Sequence, residues 1–238
     1  MNKKSKIVRV FLGLAVAFLL PLSCYFIVKR MSTGVVHMPR YYIVDSVAKH
    51  EVDGKTKLDS IYHQAADITL TNQLGAKVSL NKDLKDRFLV VDFFFVSCPG
   101  ICPRLTGNMA LLQGAFKKDP KKEAPMDTVI QMISITVNPT EDSVPALRAY
   151  ADRYKANHDH WWFLTGDKKS IYDFARNELG VVAEPGDGGP HDFIHTEKIV
   201  LLDKSRHIRG YYNGLDSADV KRCADDIILL TLEREKKK

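Results

Sequence analysis

Cysteine is scarce, with 4 in 238 residues. That is too few for the disulfide scaffold of a small secreted domain, so the cysteines that are close together read as a site. Acidic residues are missing altogether from the first 40 positions, which carry seven cations: Lys3, Lys4, Lys6, Arg9, Lys29, Arg30 and Arg40. The rest of the chain holds 28 cations against 29 acids, so the formal charge of +6 belongs to the N-terminal segment alone. A near-neutral folded part lacks the clustered Lys and Arg that phosphate binding requires, which excludes a nucleic-acid surface. The final Lys236-Lys237-Lys238 reads as a solvated tail. No internal repeat is present, which excludes a solenoid.

Long apolar runs are also few, and the longest lies inside the basic segment. Nineteen uncharged residues run from Val10 to Val28, enough to cross the hydrocarbon core of a bilayer as a helix. Four cations precede the run, which keeps that end in the cytoplasm, although Lys29 and Arg30 follow it and blunt the asymmetry. The expected arrangement is a cytoplasmic stub and single-pass anchor over 1–30, a polar tether over 31–60, and one folded domain over 61–238 on the periplasmic side of the inner (cytoplasmic) membrane. A cleavable signal peptide is the rival reading. Acylation at Cys24 fits poorly, because Pro21 stands where such signals usually carry an aliphatic residue and the apolar run continues through Val28.

Within the folded part, residues 67–80 alternate and turn around Gly75, predicting a β-hairpin. Residues 89–96 are apolar on both faces apart from Asp92, as a central parallel strand should be. Leu105, Met109, Leu112 and Phe116 recur at helical spacing. A second central strand is expected over 128–137 and a helix over 143–157. A short strand follows at 161–164, then a helix over 168–179 that ends at Gly180. Residues 198–203 and 208–212 form a second hairpin, and 217–234 a closing helix. This order of elements is that of a thioredoxin-like α/β fold with an N-terminal β-hairpin extension. The Gly/Pro loop at 185–190 is unusually long for a connection.

Chemistry concentrates where the most apolar strand ends: Ser97-Cys98-Pro99-Gly100-Ile101-Cys102-Pro103. Positions four apart share one face of a helical turn, so both sulfurs can address one object. That object is either a soft metal ion or a second sulfur atom. The start of a helix also favours thiolate over thiol. Thiolates select Cu(I), zinc or iron–sulfur clusters, and two alone leave a site incomplete. His195 is the best third donor, because it precedes a core strand whose leading loop can reach the first helix in this topology. His191 is a weaker choice. Two thiolates and one imidazole suit trigonal Cu(I) and tolerate Cu(II), whereas structural zinc wants four protein ligands. The alternative use of Cys98 and Cys102 is catalytic, as a redox-active dithiol. The remaining histidines, and Cys223 in the last helix, are expected to lie outside the site. Asp92 is a carboxylate in an apolar strand and needs a partner there.

The stretch DFFFVSCPGICPRLTGNM at 92–109, the later VNPTEDSVPALRAYA, FLTG at 163–166 and His195 followed by KIVLLD resemble the Sco/SenC family. The resemblance runs in order from about residue 67 to 212. It implies a membrane-anchored, thioredoxin-like, copper-binding protein with Cys98, Cys102 and His195 as metal ligands. It further implies copper delivery to, or thiol reduction at, the binuclear copper centre of cytochrome c oxidase subunit II. Two positions depart from the family pattern. Asn138-Pro139 replaces a frequent Asp-Pro, and Ile194 replaces an acidic residue before the ligand histidine. The DGGPHDF insertion at 187–193 also exceeds the expected connection. These departures bear on partner choice and on tuning, since the ligands remain.

Overall fold

The structure is a computed structural model that describes residues 3–31, 38–52, 55–116, 129–182 and 196–233. The chain divides into two compact units, Met1–His37 and Met38–Lys238. The first is a helix, α1 (Lys3–Met31), whose segment Gly13–Arg30 is long and apolar enough to cross a membrane. Its described side chains lie open rather than packed, as a lipid-facing helix requires.

The second unit is built on a seven-stranded sheet, preceded by a separate two-stranded ribbon. The ribbon pairs β1 (Val44–Val52) with β2 (Lys55–Tyr62) in antiparallel register. It occupies residues that the composition assigns to a tether. Charges alternate with small and apolar groups on both of its faces, so no apolar stripe marks it in the sequence. His63 secures its base. One ring nitrogen meets Asp45 at 3.0 Å, and the other lies 3.3 Å from Glu178.

The large sheet has the strand order β4-β3-β7-β6-β5-β8-β9. Its members are β3 (Thr69–Asn72), β4 (Lys77–Ser79), β5 (Phe88–Phe94), β6 (Ile130–Thr136), β7 (Trp161–Thr165), β8 (Lys198–Leu202) and β9 (Ile208–Asn213). β5, β6 and β7 run parallel, while β8 is antiparallel to β5. Every residue of β5 and β6 is buried, which explains the unbroken apolar reading of both.

Helices cover both faces. On one, α2 (Cys102–Ala115), α3 (Val144–Arg153) and α5 (Ser217–Leu232) contribute Leu105, Met109, Leu147, Tyr150, Val220 and Ile227 to a core that includes Val90 and Phe94. On the other, α4 (Lys168–Asp173) and the π-helical turn that continues it (Phe174–Glu178) pack Ile171, Tyr172 and Phe174 against Val91, Phe93 and Ile133. That helix stops at Gly180, whose φ of 58° lies in the left-handed region that glycine adopts without strain. α3 ends four residues earlier than its periodicity predicts, because Lys155 takes a φ of 54°.

The N-terminal strap and the last helix meet at Arg209, which is buried. Its guanidinium donates to Asp203 and Glu233, at 3.2 and 2.7 Å, and to the Pro39 carbonyl at 2.8 Å. It lies 4.1 Å from the Tyr41 ring centre.

Candidate metal centre

The exit of β5 makes the site. After Phe94 the chain turns tightly, with the Cys98 amide donating to the Phe95 carbonyl at 3.3 Å. Four residues later Cys102 opens α2, with Ile101 as its N-cap and Pro103 in the first turn, where a missing N–H costs nothing. Cys98 is half-buried and Cys102 is 4% exposed. Both are free thiols in hydrogen-bond contact with each other.

The two sulfurs are unequal. Burial raises the Cys98 thiol, but the Cys102 thiol and the amides of Cys102, Gly100 and Ile101 all donate to its sulfur. Together they hold it below the ordinary thiol value. Cys102 is pushed up to about 12 by burial and by the bond it gives to Cys98, against an opposing bond from the Phe95 amide. The helix N-terminus thus serves one sulfur, Cys98, as an anion cradle. Pro99, Gly100, Ile101 and Pro103 around it are exposed, so the Cys98 side of the pair faces solvent while Cys102 stays buried.

Beneath the pair lies a buried polar chain. The Trp161 indole donates to the Ser134 hydroxyl at 2.9 Å, and that hydroxyl donates to Asp92 Oδ1 at 2.5 Å. Asp92 is fully buried, and its Oδ2 has no hydrogen-bond partner. Burial outweighs the Ser134 bond and pushes the carboxyl up to about 7. Its charge also contributes to the raised Cys102 thiol. Ser134 is the partner that the sequence demanded for Asp92 and could not name. Trp161 is a fully buried core residue, and it also supplies a donor.

His195, the third donor expected from the sequence, lies outside the described residues, as do His191 and the Gly/Pro loop. Among the described residues no third His, Cys, Asp or Glu joins Cys98 and Cys102 in a metal-binding group. The approach to His195 is described. Val200 pairs with Val91 in the antiparallel β5–β8 ladder, so β8 begins beside the end of β5. The chain enters β8 past Thr196 and Glu197, and the Glu197 carbonyl accepts from the Gly214 amide at 2.8 Å. Gly214 permits this approach. A Cβ there would stand 2.0 Å from Leu105 Cδ1, in the first turn of α2, and 2.9 Å from the Glu197 oxygen. Gly214→Ala is expected to cost about 1–3 kcal/mol, the usual range for overpacking. An unchanged urea midpoint would show that the contact is not tight.

Residues 59–229 match the model of the SCO1/SenC family. The chain belongs to that family. This SCO1/SenC protein is 30% identical over 176 residues to the SCO1 protein homolog of Bacillus subtilis, covering 74% of this chain and 84% of that one. Among solved structures it is similar to BsSco, a member of the Sco family of cytochrome c oxidase assembly proteins in which a disulfide switch has been identified. The identity is 28% and the TM-score 0.59, over 72% of this chain and 95% of that one. The copper-bound ScoI of Bradyrhizobium japonicum aligns with a TM-score of 0.54 at 23% identity, over 69% of this chain and 98% of that one, a likeness of fold. The thioredoxin-like α/β architecture of this SCO1/SenC chain is therefore shared with its relatives.

Proposed function

We propose that this chain is a membrane-anchored copper carrier. Cys98, Cys102 and His195 hold the ion, and the acceptor is the binuclear copper centre of cytochrome c oxidase, in subunit II or a similar protein. The observation that carries this reading is the pair of reduced sulfurs in contact at the head of α2, one of them held below the ordinary thiol value. A half-buried Cys98 backed by a buried Cys102 fits Cu(I) that must be both held and given up. Cu(I) takes both sulfurs as thiolates, so loading releases the protons they still carry, the one on Cys102 above all. Only two residues separate His195 from Lys198, a reach of about 10 Å from the start of β8, beside the end of β5 that leads to Cys98. That short span supports His195 as the third ligand, and the same site could receive Cu(II). The candidate membrane helix, with four cations before its apolar run against Lys29 and Arg30 directly after it, supports an extracytoplasmic folded domain.

The test is anaerobic titration of the reduced full-length chain with Cu(I) against a competing chelator. The native protein is expected to take one tight copper. Cys98→Ser should take none, and His195→Ala should bind at least tenfold more weakly. Full stoichiometry in a folded Cys98→Ser variant overturns the assignment.

The inequality of the two thiols also favours a second reading, a thiol–disulfide oxidoreductase acting on the cysteines of an oxidase subunit. Here Cys98 would attack a partner disulfide and Cys102 would resolve it. His195→Ala separates the two, because a dithiol reductase does not need an imidazole ligand.

A further inference from the structure

An acid just ahead of a helix ordinarily caps it. Asp142 precedes α3 yet turns away from it. The N-cap is Ser143, and no side-chain bond closes that helix end. Asp142 Oδ2 instead accepts from the Val96 amide at 3.1 Å and from the Thr136 hydroxyl. The residue is 2% exposed, and among the described residues no ion pair includes it. A buried carboxylate without a cation is costly, so its place is not explained by stability alone.

Val96 lies two residues before Cys98, and the strand exit is stitched down on both sides of Phe95. The Phe94 carbonyl accepts from the Val137 amide at 2.8 Å. The Phe95 amide serves the Cys102 sulfur. The Val96 amide serves Asp142. The turn that carries Asp142 is itself fixed: the amides of Glu141 and Asp142 donate to the Asn138 carbonyl, and the Asn138 amide donates to Thr136 Oγ1 at 3.0 Å. Asn138 thus serves the turn with its backbone, while its side chain bonds Glu141 and Thr140.

We infer that Asp142 is a positioning residue for the dithiol: by gripping the Val96 amide it sets the loop that aims Phe95 N–H at Cys102 and delivers Cys98 to the helix N-terminus. This deepens, and rests on, the reading of the two cysteines as the working site. Loss of the grip loosens the loop, weakens the amide bonds to both sulfurs and so destabilises the reduced pair relative to its disulfide.

The experiment compares native protein, Cys98→Ser, Asp142→Ala and Asp142→Asn by two readouts. One is Cu(I) competition. The other is equilibrium with glutathione, in which Cys98 and Cys102 lose two electrons and two protons to oxidised glutathione and yield one disulfide and two reduced glutathiones. Asp142→Ala is expected to bind Cu(I) about tenfold more weakly. It should also shift the equilibrium about tenfold toward the disulfide, about 30 mV for this two-electron couple. Asp142→Asn keeps an acceptor oxygen without the charge and should show about a threefold change in each. A folded Asp142→Ala that melts lower but matches the native protein in both readouts overturns the inference. Should Asp142→Ala fail to fold, a native-like Asp142→Asn overturns it equally. If the native chain itself takes no Cu(I), the copper reading fails while the glutathione equilibrium still decides the role of Asp142.

Discussion

Limiting iodoacetamide at neutral pH is expected to alkylate Cys98 and leave Cys102 and Cys223 untouched. The reagent reads thiolate and access together. Cys98 is half-buried and held below the ordinary thiol value by the donors around its sulfur. Cys102 is pushed up to about 12, so at pH 7 only about one molecule in 10⁵ carries its thiolate, against about one in 100 for an ordinary thiol. Cys223 is raised further by burial and lies wholly inside the core between α5 and the sheet. The thiolate populations differ by at least about a thousandfold, and the lower intrinsic nucleophilicity of a low-pKa thiolate gives back a factor of about 20–30, so a rate advantage for Cys98 over Cys102 of at least about thirtyfold follows. Peptide mapping at low conversion, in a Cys24→Ser background, measures it. Comparable labelling of Cys98 and Cys102 would contradict the unequal environments. The order matters for either role of the pair, since the reactive sulfur is the one that meets an incoming ion or disulfide first.

Stability is expected to fall as pH rises from about 4 to about 7, on account of Asp92. Its carboxyl is raised from 3.8 to about 7 in the fold, so the native state holds a proton there that the unfolded chain has already lost. Below pH 4 both states are protonated and Asp92 contributes no pH dependence. Above 7 both are ionised and the full penalty of a buried charge applies, roughly 4 kcal/mol at 1.36 kcal/mol per pH unit. Asp92→Asn removes the charge and keeps an oxygen for the Ser134 hydroxyl. Denaturant unfolding at pH 4.5, 6 and 8 should show native and variant curves that converge at low pH. At pH 8 the variant should be more stable by about 2–4 kcal/mol, the lower figure allowing for an amide N–H without a partner. Parallel curves would mean that Asp92 is ionised in the fold at every pH, with a partner for Oδ2.

Much of this site is legible in the sequence, because its essentials are local. The apolar run 88–94, the spacing of Cys98 and Cys102 and the helical recurrence of Leu105, Met109 and Leu112 each depend on neighbours within a few residues. What is not legible depends on distant partners. Nothing near Asp92 announces Ser134, 42 positions away, and nothing near Asp142 announces Val96, 46 positions before it. The ribbon of β1 and β2 escapes a periodicity reading because neither face is apolar. Its one signal is the Asp53-Gly54 pair in the sequence between the two strands, a strong hairpin dipeptide. The folded unit accordingly takes in residues 38–60, which composition alone assigns to the tether. His195 is legible as a soft donor by type and by family resemblance, while residues 183–195 lie outside the described structure.

The Arg209 knot has a mechanical consequence. A chain tethered through its N-terminus feels any drag on the folded unit as a pull at residue 38. That pull meets the Pro39 carbonyl on Arg209, the Tyr41 ring against the same guanidinium, and the Tyr42 amide on the Ile208 carbonyl at 3.1 Å. All three contacts sit on the edge strand β9, and Arg209 passes the tension on to Glu233 at the end of α5. β8 stands between that edge and β5, whose exit carries Cys98. The tension is therefore grounded at one margin of the sheet, and the sulfur pair rides on a part of the molecule that the leash does not tug.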